Sequence, residues 1–561
     1  MLMKILYIWA DKYKNLDGFG VNLGSDIKFI YSRGENRLSQ VFKSSLPDDF
    51  FPKNIVDVAA IVGENGVGKS NVLEMICRAL GGVGRSGLRS DFLVVYESEG
   101  EIVCKYRFLE YSRPDVARGI RLVAIEKGAP VQEMRIVYFS NVGVNRPRNL
   151  GPHVTDISPE QGYPGDRFRA PKITEFEKQL FFILNTKRLD ELDVEAPTHV
   201  SISFRDVARM ELLNKYVVGN DIESRKIVRS YLRDCERVVS RLSGSEKFVF
   251  LMAHNFLFSV MKRRIDSRLL EEKFFFRSID ADNAMSSVNL MLDFLRREIE
   301  IREMEGEGYQ EIGVDRGSLR QKVDLLERLC EWGHIIGVEE SRDNYSESRT
   351  HMFNIDLKVA SHRYIEDILF AFRDVSSVVV EWIGMSSGQR AYLNLFSLIS
   401  FELMGSSDVP VLLCIDEGDL YLHPRWQIEF LNRLLNKVSV LSEAGVQLVL
   451  TSHSPFLVAD LPKQSLTVMT KGEQQPSQDG YKLERETLAG NLYRLYQSPF
   501  NVDIFETSAF ASRKIAALAK RIDQRSDSGG EREALLRELN LIGDEMIKQA
   551  LLSELKGPKD D

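Results

Sequence analysis

A run of eight residues near the N-terminus has the composition and spacing of a phosphate-binding loop. It matches the pattern GxxxxGK[ST], in which glycines let backbone N–H groups turn toward phosphate oxygens. The ammonium of Lys69 is placed to reach the β- and γ-phosphates, and the hydroxyl of Ser70 to bind Mg²⁺. An apolar strand precedes the run and an amphipathic helix follows it, which favours this interpretation over a chance match of a glycine-rich turn. The residues predicted to bind a nucleoside triphosphate are Gly63, Glu64, Asn65, Gly66, Val67, Gly68, Lys69 and Ser70.

Two carboxylates end a second apolar run, VLLCIDE at 411–417. A buried strand of a parallel sheet would deliver both of them to the sheet edge where the phosphate loop begins. Asp416 would then position Mg²⁺, directly or through water, and Glu417 would polarise the attacking water. An apolar strand that ends in Asp-Glu is also common for structural reasons, so this interpretation depends on the neighbouring motifs.

Two further segments supply polar groups that could meet the same phosphates. Small hydroxyl residues and glycine open the predicted helix AYLNLFSLISFELM, where a helix N-terminus can bind an anion; standing alone, they would indicate an ordinary serine N-cap. His453 ends a further buried strand in the run VQLVLTSHSPF, where an imidazole could contact the γ-phosphate, although a lone histidine after a strand is usually structural. The candidate residues of the helix start are Ser386, Ser387, Gly388 and Gln389.

The elements that must position these motifs change in character along the chain. Residues 1–62 indicate short strands, 71–80 a helix, and DFLVVYES with IVCKYRFLEY a hairpin. From about 173 to 375 apolar residues recur mostly at helical spacing, in three long runs that begin at 223, 283 and 317. Strands and helices alternate again over 376–470, and the tail from about 486 indicates helix with mixed charge.

The composition is that of an ordinary globular protein and excludes several other classes. The 561 residues carry 74 basic and 82 acidic side chains, a net charge of −8, which excludes a globally basic nucleic-acid coat but not a local basic groove. The five cysteines are dispersed without ligand spacing, which indicates buried thiols in a reducing cytosol rather than disulfides or zinc ligands. The first apolar run is too short for a signal peptide, and no stretch approaches the length of a membrane span. The sequence therefore predicts a soluble cytoplasmic protein.

The order and spacing of the four motifs resemble those of the ATP-binding-cassette (ABC) ATPase superfamily. Gly388 precedes Asp416 by 28 residues, and Asp416 precedes His453 by 37. Met385–Gln389 are similar to the LSGGQ-type signature, Asp416 and Glu417 to the Walker B pair, and His453 to the switch histidine. The resemblance implies an α/β fold: an ABC-type P-loop ATPase head with mixed and parallel sheets plus a helical insertion.

Within that superfamily the chain resembles the soluble branch that includes SMC, RecF and OLD proteins. The run IDEGDLYLHP at 415–424 is similar to the IDEPExxLHP motif of the branch, with Gly418 and Asp419 as the two departures. The tail, at 487–495 and 541–545, looks similar to that of Septu-type and retron-associated ATPases, prokaryotic anti-phage proteins that work with a separate HNH nuclease. OLD nucleases carry a metal-binding Toprim domain, for which no suitable acid cluster follows Ser454, so a self-contained nuclease is disfavoured.

The resemblance also implies a division of the chain into four parts. These are 1–172, the N-terminal part of the ATPase head with the P-loop; 173–375, the mostly helical insertion; 376–470, the C-terminal part of the head with the signature, Walker B and the switch histidine; and 471–561, a C-terminal helical tail. ATP and Mg²⁺ are the implied cofactors, with Ser70 and Asp416 as metal ligands and Glu417 and His453 as catalytic residues.

A homodimer or higher homo-oligomer through the ATP sites is implied as well. In relatives of this kind the signature of one subunit closes on the nucleotide of another, so Ser387 and Gly388 would contact the γ-phosphate held by Lys69 of the mate. The implied function is that of an ATP-binding and ATP-hydrolysing regulatory subunit of a prokaryotic anti-phage defence system, controlling a partner nuclease of HNH type. The alternative is a DNA-repair or recombination ATPase with ATP-gated DNA binding.

Two points stay open in the sequence. The superfamily has a glutamine that contacts Mg²⁺ and water, and here either Ser140 or Asn141 could supply the oxygen. Nucleic acid as a partner depends on basic clusters, each of which also fits a solvated face because acids are interleaved nearby. The clusters are Arg146 and Arg148; Arg167, Arg169 and Lys172; Lys262–Arg264; and Arg513, Lys514, Lys520 and Arg521.

Overall fold

The computed structural model describes the chain in segments and divides it into two compact units. The described residues are 3–43, 46–47, 49–81, 87–108, 112–125, 134–142, 150–159, 175–184, 197–205, 222–263, 283–305, 316–333, 336–341, 350–372, 375, 377–404, 409–471, 477–492, 494–495, 509–524 and 529–556. The first unit comprises Met1–Ala59 and Ser70–Ser452, and the second comprises Ala60–Lys69 and His453–Asp561.

The strands and helices of the described segments follow one another in a mixed α/β order. The strands are β1 (Met3–Tyr13), β2 (Leu16–Asn22), β3 (Ile27–Ser32), β4 (Arg37–Lys43), β5 (Ile55–Gly63), β6 (Phe92–Ser98), β7 (Glu101–Arg107), β8 (Asp115–Val116), β9 (Ile120–Ala124), β10 (Arg135–Ser140), β11 (Val154–Asp156), β12 (His199–Arg205), β13 (Val338–Ser341), β14 (Thr350–Asp356), β15 (Val378–Ile383), β16 (Val411–Asp416), β17 (Val446–Ser452), β18 (Leu466–Met469) and β19 (Ser477–Asp479). The α-helices are α1 (Lys69–Leu80), α2 (Glu175–Leu184), α3 (Ile222–Arg241), α4 (Gly244–Arg263), α5 (Ala284–Glu305), α6 (Arg316–Gly333), α7 (His362–Phe372), α8 (Ser387–Leu403), α9 (Pro424–Leu441), α10 (Pro455–Ala459), α11 (Ala509–Asp523), α12 (Gly529–Leu539) and α13 (Glu545–Lys556).

The first unit contains a parallel sheet built from almost continuously apolar strands. Its order is β11-β10-β16-β17-β5, and β16 runs parallel to both β10 and β17. Every residue of β16 and β17 is buried, as expected for strands that are covered on both faces. The register pairs Ser140 with Asp416 and Asp416 with Thr451, so the carboxyl ends of three strands meet at one edge of the sheet.

The N-terminal strands of this unit form two smaller sheets around an aromatic core. One has the order β2-β1-β6-β7-β9, in which the predicted hairpin of β6 and β7 is confirmed, and the other has the order β3-β4-β8. Trp9, Phe29 and Leu93 are fully buried in their shared cluster. The rings of Trp9 and Tyr31 have centroids 4.5 Å apart, so aromatic packing adds to the area buried there.

The side chain of Gln447 connects β1 to β17. Its Oε1 accepts a hydrogen bond from the N–H of Ile5 at 2.7 Å, and its Nε2 donates to the carbonyls of Ile5 at 2.8 Å and Leu23 at 3.2 Å. The pairing of β1 with β6 shifts register between Ile5 and Tyr7, beside these bonds. A glutamine is stable in this fully buried position because both ends of its amide have partners.

The segment 173–375 is predicted to be mostly helical, and the structure confirms the three long helical runs as α3, α5 and α6. It also contains strands that the sequence analysis missed, because β12, β13 and β14 join β15 in an antiparallel sheet of order β13-β14-β12-β15. Val200, Ile202 and Phe204 fill the core from β12, with serines between them. That period-two alternation in VSISF was the available signal for a strand.

The second unit begins with the end of β5. Ala60–Gly63 pair in parallel with β18, which in turn pairs antiparallel with β19. Within the predicted helical tail, α11, α12 and α13 share a leucine-rich core, whereas β19 is a strand. The buried members of this core are Leu518, Ile522, Leu535, Leu539, Leu551 and Leu555.

A buried ion cluster fixes the start of β1. Lys4 Nζ lies 2.6 Å from Asp57 Oδ2 and 2.7 Å from Asp26 Oδ1, and the side chain of Asp57 is 1% exposed. Asp57 also accepts hydrogen bonds from the N–H and hydroxyl of Ser25 at 2.8 Å and 3.0 Å. Burial alone would lower the pKa of the Lys4 ammonium, but the attraction of Asp57 and Asp26 outweighs it and the pKa of Lys4 is raised.

Lys4→Met is expected to lower the free energy of unfolding by about 3 kcal/mol, because Asp57 would stay buried without its cation. Urea unfolding at pH 7 measures the change. Lys12→Met is the control, since Lys12 is exposed on the same strand and its replacement should change stability by less than about 0.5 kcal/mol. Equal unfolding free energies for the two variants would contradict a stabilising role for the ion cluster.

Candidate functional site

The glycines of the phosphate loop adopt backbone conformations that other residues rarely reach. Gly63, Gly66 and Gly68 have φ angles of +142°, +80° and +105°. At Gly63 a Cβ atom would lie 2.1 Å from the carbonyl oxygen of Met469, so the loop can leave β5 beside β18 only with glycine at this position. The sequence pattern of the loop therefore has a direct geometric cause.

Lys69 lies under this loop and is almost fully buried, with 4% of its surface exposed. Its Nζ donates to the carbonyls of Gly63 at 3.1 Å and Glu64 at 2.9 Å. The same atom lies 2.7 Å from Nε2 of His453. Because an ammonium can only donate, the facing ring nitrogen accepts. The structure thus brings together two predicted site residues that are 384 positions apart in the chain.

Asp416 is the centre of a hydroxyl cluster in the first unit. Its Oδ1 accepts hydrogen bonds from Ser70 Oγ at 3.0 Å and Thr451 Oγ1 at 2.6 Å, and its Oδ2 from Ser140 Oγ at 3.2 Å and Tyr138 OH at 3.3 Å. Asp416 is 1% exposed, so these donors replace water around a carboxylate. The donor set consists only of oxygen atoms, which suits a hard cation such as Mg²⁺ rather than zinc.

Thr451 and Tyr138 are members of this cluster that the sequence analysis missed. Thr451 directly follows the apolar part of β17, and Tyr138 lies within β10, two residues before Ser140. A threonine near the end of a buried strand, two residues before the candidate histidine, was the available signal for Thr451. Tyr138 gave no such signal, because a tyrosine inside an apolar strand normally indicates core packing.

Glu417 follows β16 with a strained backbone. Its φ is +50°, an uncommon value for a residue other than glycine. Its N–H donates to the carbonyl and the hydroxyl of Thr451, at 3.2 Å and 3.0 Å, and its carbonyl accepts from the N–H of Leu420 at 3.0 Å. Strain of this kind persists only where the surroundings fix it, and it is common at functional sites.

The predicted signature residues lie at the start of α8. Ser386 is the N-cap and forms a capping box with Gln389: the Ser386 hydroxyl accepts from the Gln389 N–H at 3.2 Å, and Gln389 Oε1 accepts from the Ser386 N–H at 2.8 Å. Ser386 and Ser387 are exposed. A Cβ atom on Gly388 would lie 2.9 Å from the carbonyl oxygen of Tyr421, so this position favours glycine. The geometry shows the N-cap, and a nucleotide contact by these residues stays a prediction.

The two candidates for the missing glutamine take different places. The Ser140 hydroxyl belongs to the Asp416 cluster, whereas Asn141 Nδ2 donates to the carbonyl of Gly418 at 3.1 Å. In the loop after Glu417, Asp419 Oδ2 accepts from Ser452 Oγ at 2.5 Å. Ser140 and Asn141 therefore both contact the segment that carries Asp416 and Glu417.

Only one of the four predicted basic clusters lies fully within the described part of the chain. Those at 146–148, 167–172 and 262–264 include residues outside the described part of the chain. The fourth lies on α11, where all four side chains are exposed and Arg521 Nη1 donates to both carboxylate oxygens of Glu538 at 2.7 Å and 2.9 Å.

Within the described segments, no helix combines the length and apolarity needed to cross a membrane.

Comparison with known proteins identifies relatives that are similar in sequence to part of this chain. Septu protein PtuA of Bacillus mycoides (strain KBAB4) is 24% identical over 170 residues, which cover 28% of this chain and 23% of that protein. Retron Ec83 probable ATPase of Escherichia coli is 25% identical over 134 residues, which cover 22% of this chain and 24% of that protein. The aligned region thus spans about a quarter of each relative's length. The resemblance to Septu-type and retron-associated ATPases is confirmed by these two proteins.

A family model also matches the chain over residues 132–459. The matched range holds the candidate signature, Asp416, Glu417 and His453, and the phosphate loop at 63–70 precedes it. The mixed α/β fold predicted from the sequence agrees with this match. Because this family model matches more than half of the chain, the chain belongs to the family described as "AAA domain, putative AbiEii toxin, Type IV TA system".

Proposed function

We propose that this chain is a Mg²⁺-dependent ATPase that acts as the regulatory subunit of a prokaryotic anti-phage defence system. The observation that carries the proposal is the buried Asp416 carboxylate, which accepts a hydrogen bond from Ser70 of the phosphate-loop motif while Glu417 follows it directly. The names of the Septu and retron relatives support the defence role.

Each of the site residues would have its own role in hydrolysis. The loop N–H groups and Lys69 would hold the phosphates, and Ser70 and Asp416 would hold Mg²⁺. The bound cation would neutralise charge on the phosphoryl oxygens. Glu417 would accept a proton from the attacking water, and His453 would contact the γ-phosphate. Lys69 and Ser70 are consecutive at the start of α1, so one segment would serve both the phosphate and the metal.

The second part of the proposal is an ATP-sandwiched homodimer. Ser387 and Gly388 of one chain would contact the nucleotide held by Lys69 of the other, and the exposure of Ser386 and Ser387 at a helix N-terminus supports this role. Hydrolysis would then release the pair, and the change between the two forms would control a partner nuclease of HNH type.

The dimer is tested by mass. Glu417→Gln should bind Mg-ATP without hydrolysing it, so light scattering should show a doubling of mass, or a compaction if the nucleotide-free protein is already oligomeric. The double variant Lys69→Ala, Glu417→Gln is the control, because it lacks the phosphate-binding ammonium and should not respond. An unchanged mass and radius of Glu417→Gln with Mg-ATP would contradict the sandwich.

The partner is tested by co-purification of tagged Glu417→Gln protein with ATP. A stoichiometric nuclease supports the defence role. The exposed cations of α11 support the alternative, an ATPase with ATP-gated DNA binding. In that case the protein should recover DNA or repair proteins, and its DNA affinity should fall steeply as salt is raised.

A further inference from the structure

The end of β10 contacts the loop that carries Glu417. Asn141 directly follows β10 and is 9% exposed. Its Nδ2 donates to the carbonyl of Gly418 at 3.1 Å, and its backbone N–H donates to the carbonyl of Asp416 at 3.4 Å. Asn141 therefore holds the residue before Glu417 and the residue after it.

The direction of the side-chain bond is fixed by its partner. A carbonyl oxygen can only accept, so the amide nitrogen of Asn141 must face Gly418. This contact differs from the one that the sequence suggests, in which an oxygen of residue 140 or 141 meets the metal. Ser140, the neighbouring residue, already supplies a hydroxyl to Asp416. Ser140 therefore contacts the Asp416 carboxylate, whereas Asn141 holds the backbone of Gly418.

The contact matters because Glu417 has an unfavourable backbone conformation. With φ at +50°, the segment would relax if its hydrogen bonds were removed. Thr451 holds the N–H of Glu417, Leu420 holds its carbonyl, and Asn141 holds Gly418 from the neighbouring strand. Of these three, only Asn141 uses a side-chain donor that a substitution can remove without changing β16, β17 or the loop itself.

We propose that Asn141 is a positioning residue for hydrolysis, which keeps the Glu417 carboxylate directed at the attacking water by holding the backbone of Gly418. The inference rests on the proposed function, in which Glu417 is the base. Since a displacement of about 1 Å from the reactive geometry can lower a rate about a hundredfold, one lost backbone anchor is enough for a large effect.

Asn141→Leu is the first test. Its kcat for ATP should fall by about tenfold to a hundredfold, whereas its Kd for ATP should change by less than about twofold. Asn255→Leu is the matched control, because Asn255 is also buried and its Nδ2 donates to a backbone carbonyl, that of Leu251 at 2.9 Å in α4. Equal kcat values for Asn141→Leu and wild type, or a kcat and an affinity that fall together, would overturn the proposal.

The second test combines Asn141→Leu with Glu417→Gln. If Asn141 acts through the Glu417 carboxylate, the double variant should hydrolyse ATP no more slowly than Glu417→Gln alone. A further fall equal to that in the wild-type background would show that Asn141 acts independently of Glu417 and would overturn the proposal.

Asn141→Asp provides a test that does not depend on an apolar replacement. The introduced carboxylate has nearly the shape of the amide but no proton to donate at neutral pH, so kcat should again fall. A wild-type kcat for Asn141→Asp would contradict the role of the donor.

The outcomes separate the two proposals. If the wild-type protein hydrolyses no ATP, the proposed function fails and the role of Asn141 fails with it. If the wild-type protein hydrolyses ATP and the Asn141 variants match it, only the role of Asn141 fails.

Discussion

Replacing Glu417 with glutamine should lower the turnover number for ATP by a factor of about 10² to 10⁴, the usual contribution of a positioned general base. Glutamine keeps the size of the side chain and its backbone contacts to Thr451, but it cannot accept the proton of water. The Kd for ATP should therefore change little, because the phosphate-binding residues are untouched. Phosphate release under saturating Mg-ATP measures the rate, and binding of a fluorescent ATP analogue measures affinity.

A second glutamate provides the control for this variant. Glu443 lies in the same unit, is exposed, and precedes β17. Glu443→Gln removes the same charge and should leave both kcat and affinity at wild-type values. If Glu417→Gln also hydrolysed ATP at the wild-type rate, Glu417 would not be the base and the assignment would move to another group near Asp416.

Gly63→Ala should lower the stability of the second unit by about 3 kcal/mol or more, because the added methyl group meets a backbone carbonyl and requires a disfavoured φ. The Cβ atom would lie 2.1 Å from Met469 O, and φ is +142°. Relief requires β5 to separate from β18, since neither atom belongs to a flexible side chain. The midpoint of urea unfolding without nucleotide should fall accordingly.

Gly66→Ala separates the two causes of that effect. Gly66 also has a positive φ, +80°, but no atom lies within 4 Å of the position of its Cβ. Its replacement should therefore lower stability by only about 1 to 2 kcal/mol, the penalty for the backbone conformation alone. Equal losses for the two variants would mean that β5 and β18 are not held as closely as the Gly63 contact requires.

The parts of the structure that follow from the sequence are those with a strong local pattern. The glycines and Lys69 of the phosphate loop, and the apolar strands before Asp416 and His453, are all recognisable by residue type and spacing. The antiparallel sheet formed by β12, β13, β14 and β15 was missed because long helices lie between β12 and β13 in the chain. A helical interpretation of the whole segment was therefore the simpler one.

Other features depend on which residues the fold brings opposite each other. Tyr138 and Thr451 join Asp416 only because β10, β16 and β17 pair in one register, which no single segment encodes. The positive φ of Glu417 and the direction of the Asn141 amide are likewise set by neighbours on other strands. Sequence patterns predict which elements form, whereas side-chain orientation requires the assembled sheet.

The bond between Ile5 and Gln447 has a consequence for how this protein is made. The two residues are 442 positions apart, and translation at about 5–20 residues per second needs roughly 20 to 90 s to cover that distance. During that time β1 has left the ribosome, but the amide that serves the backbone of Ile5 has not been synthesised. β1 can pair with β2 and β6 during that time, but the bonds from Gln447 to the backbone of Ile5, beside the register shift, are still missing. Chaperone dependence of the nascent chain should therefore be concentrated around this strand.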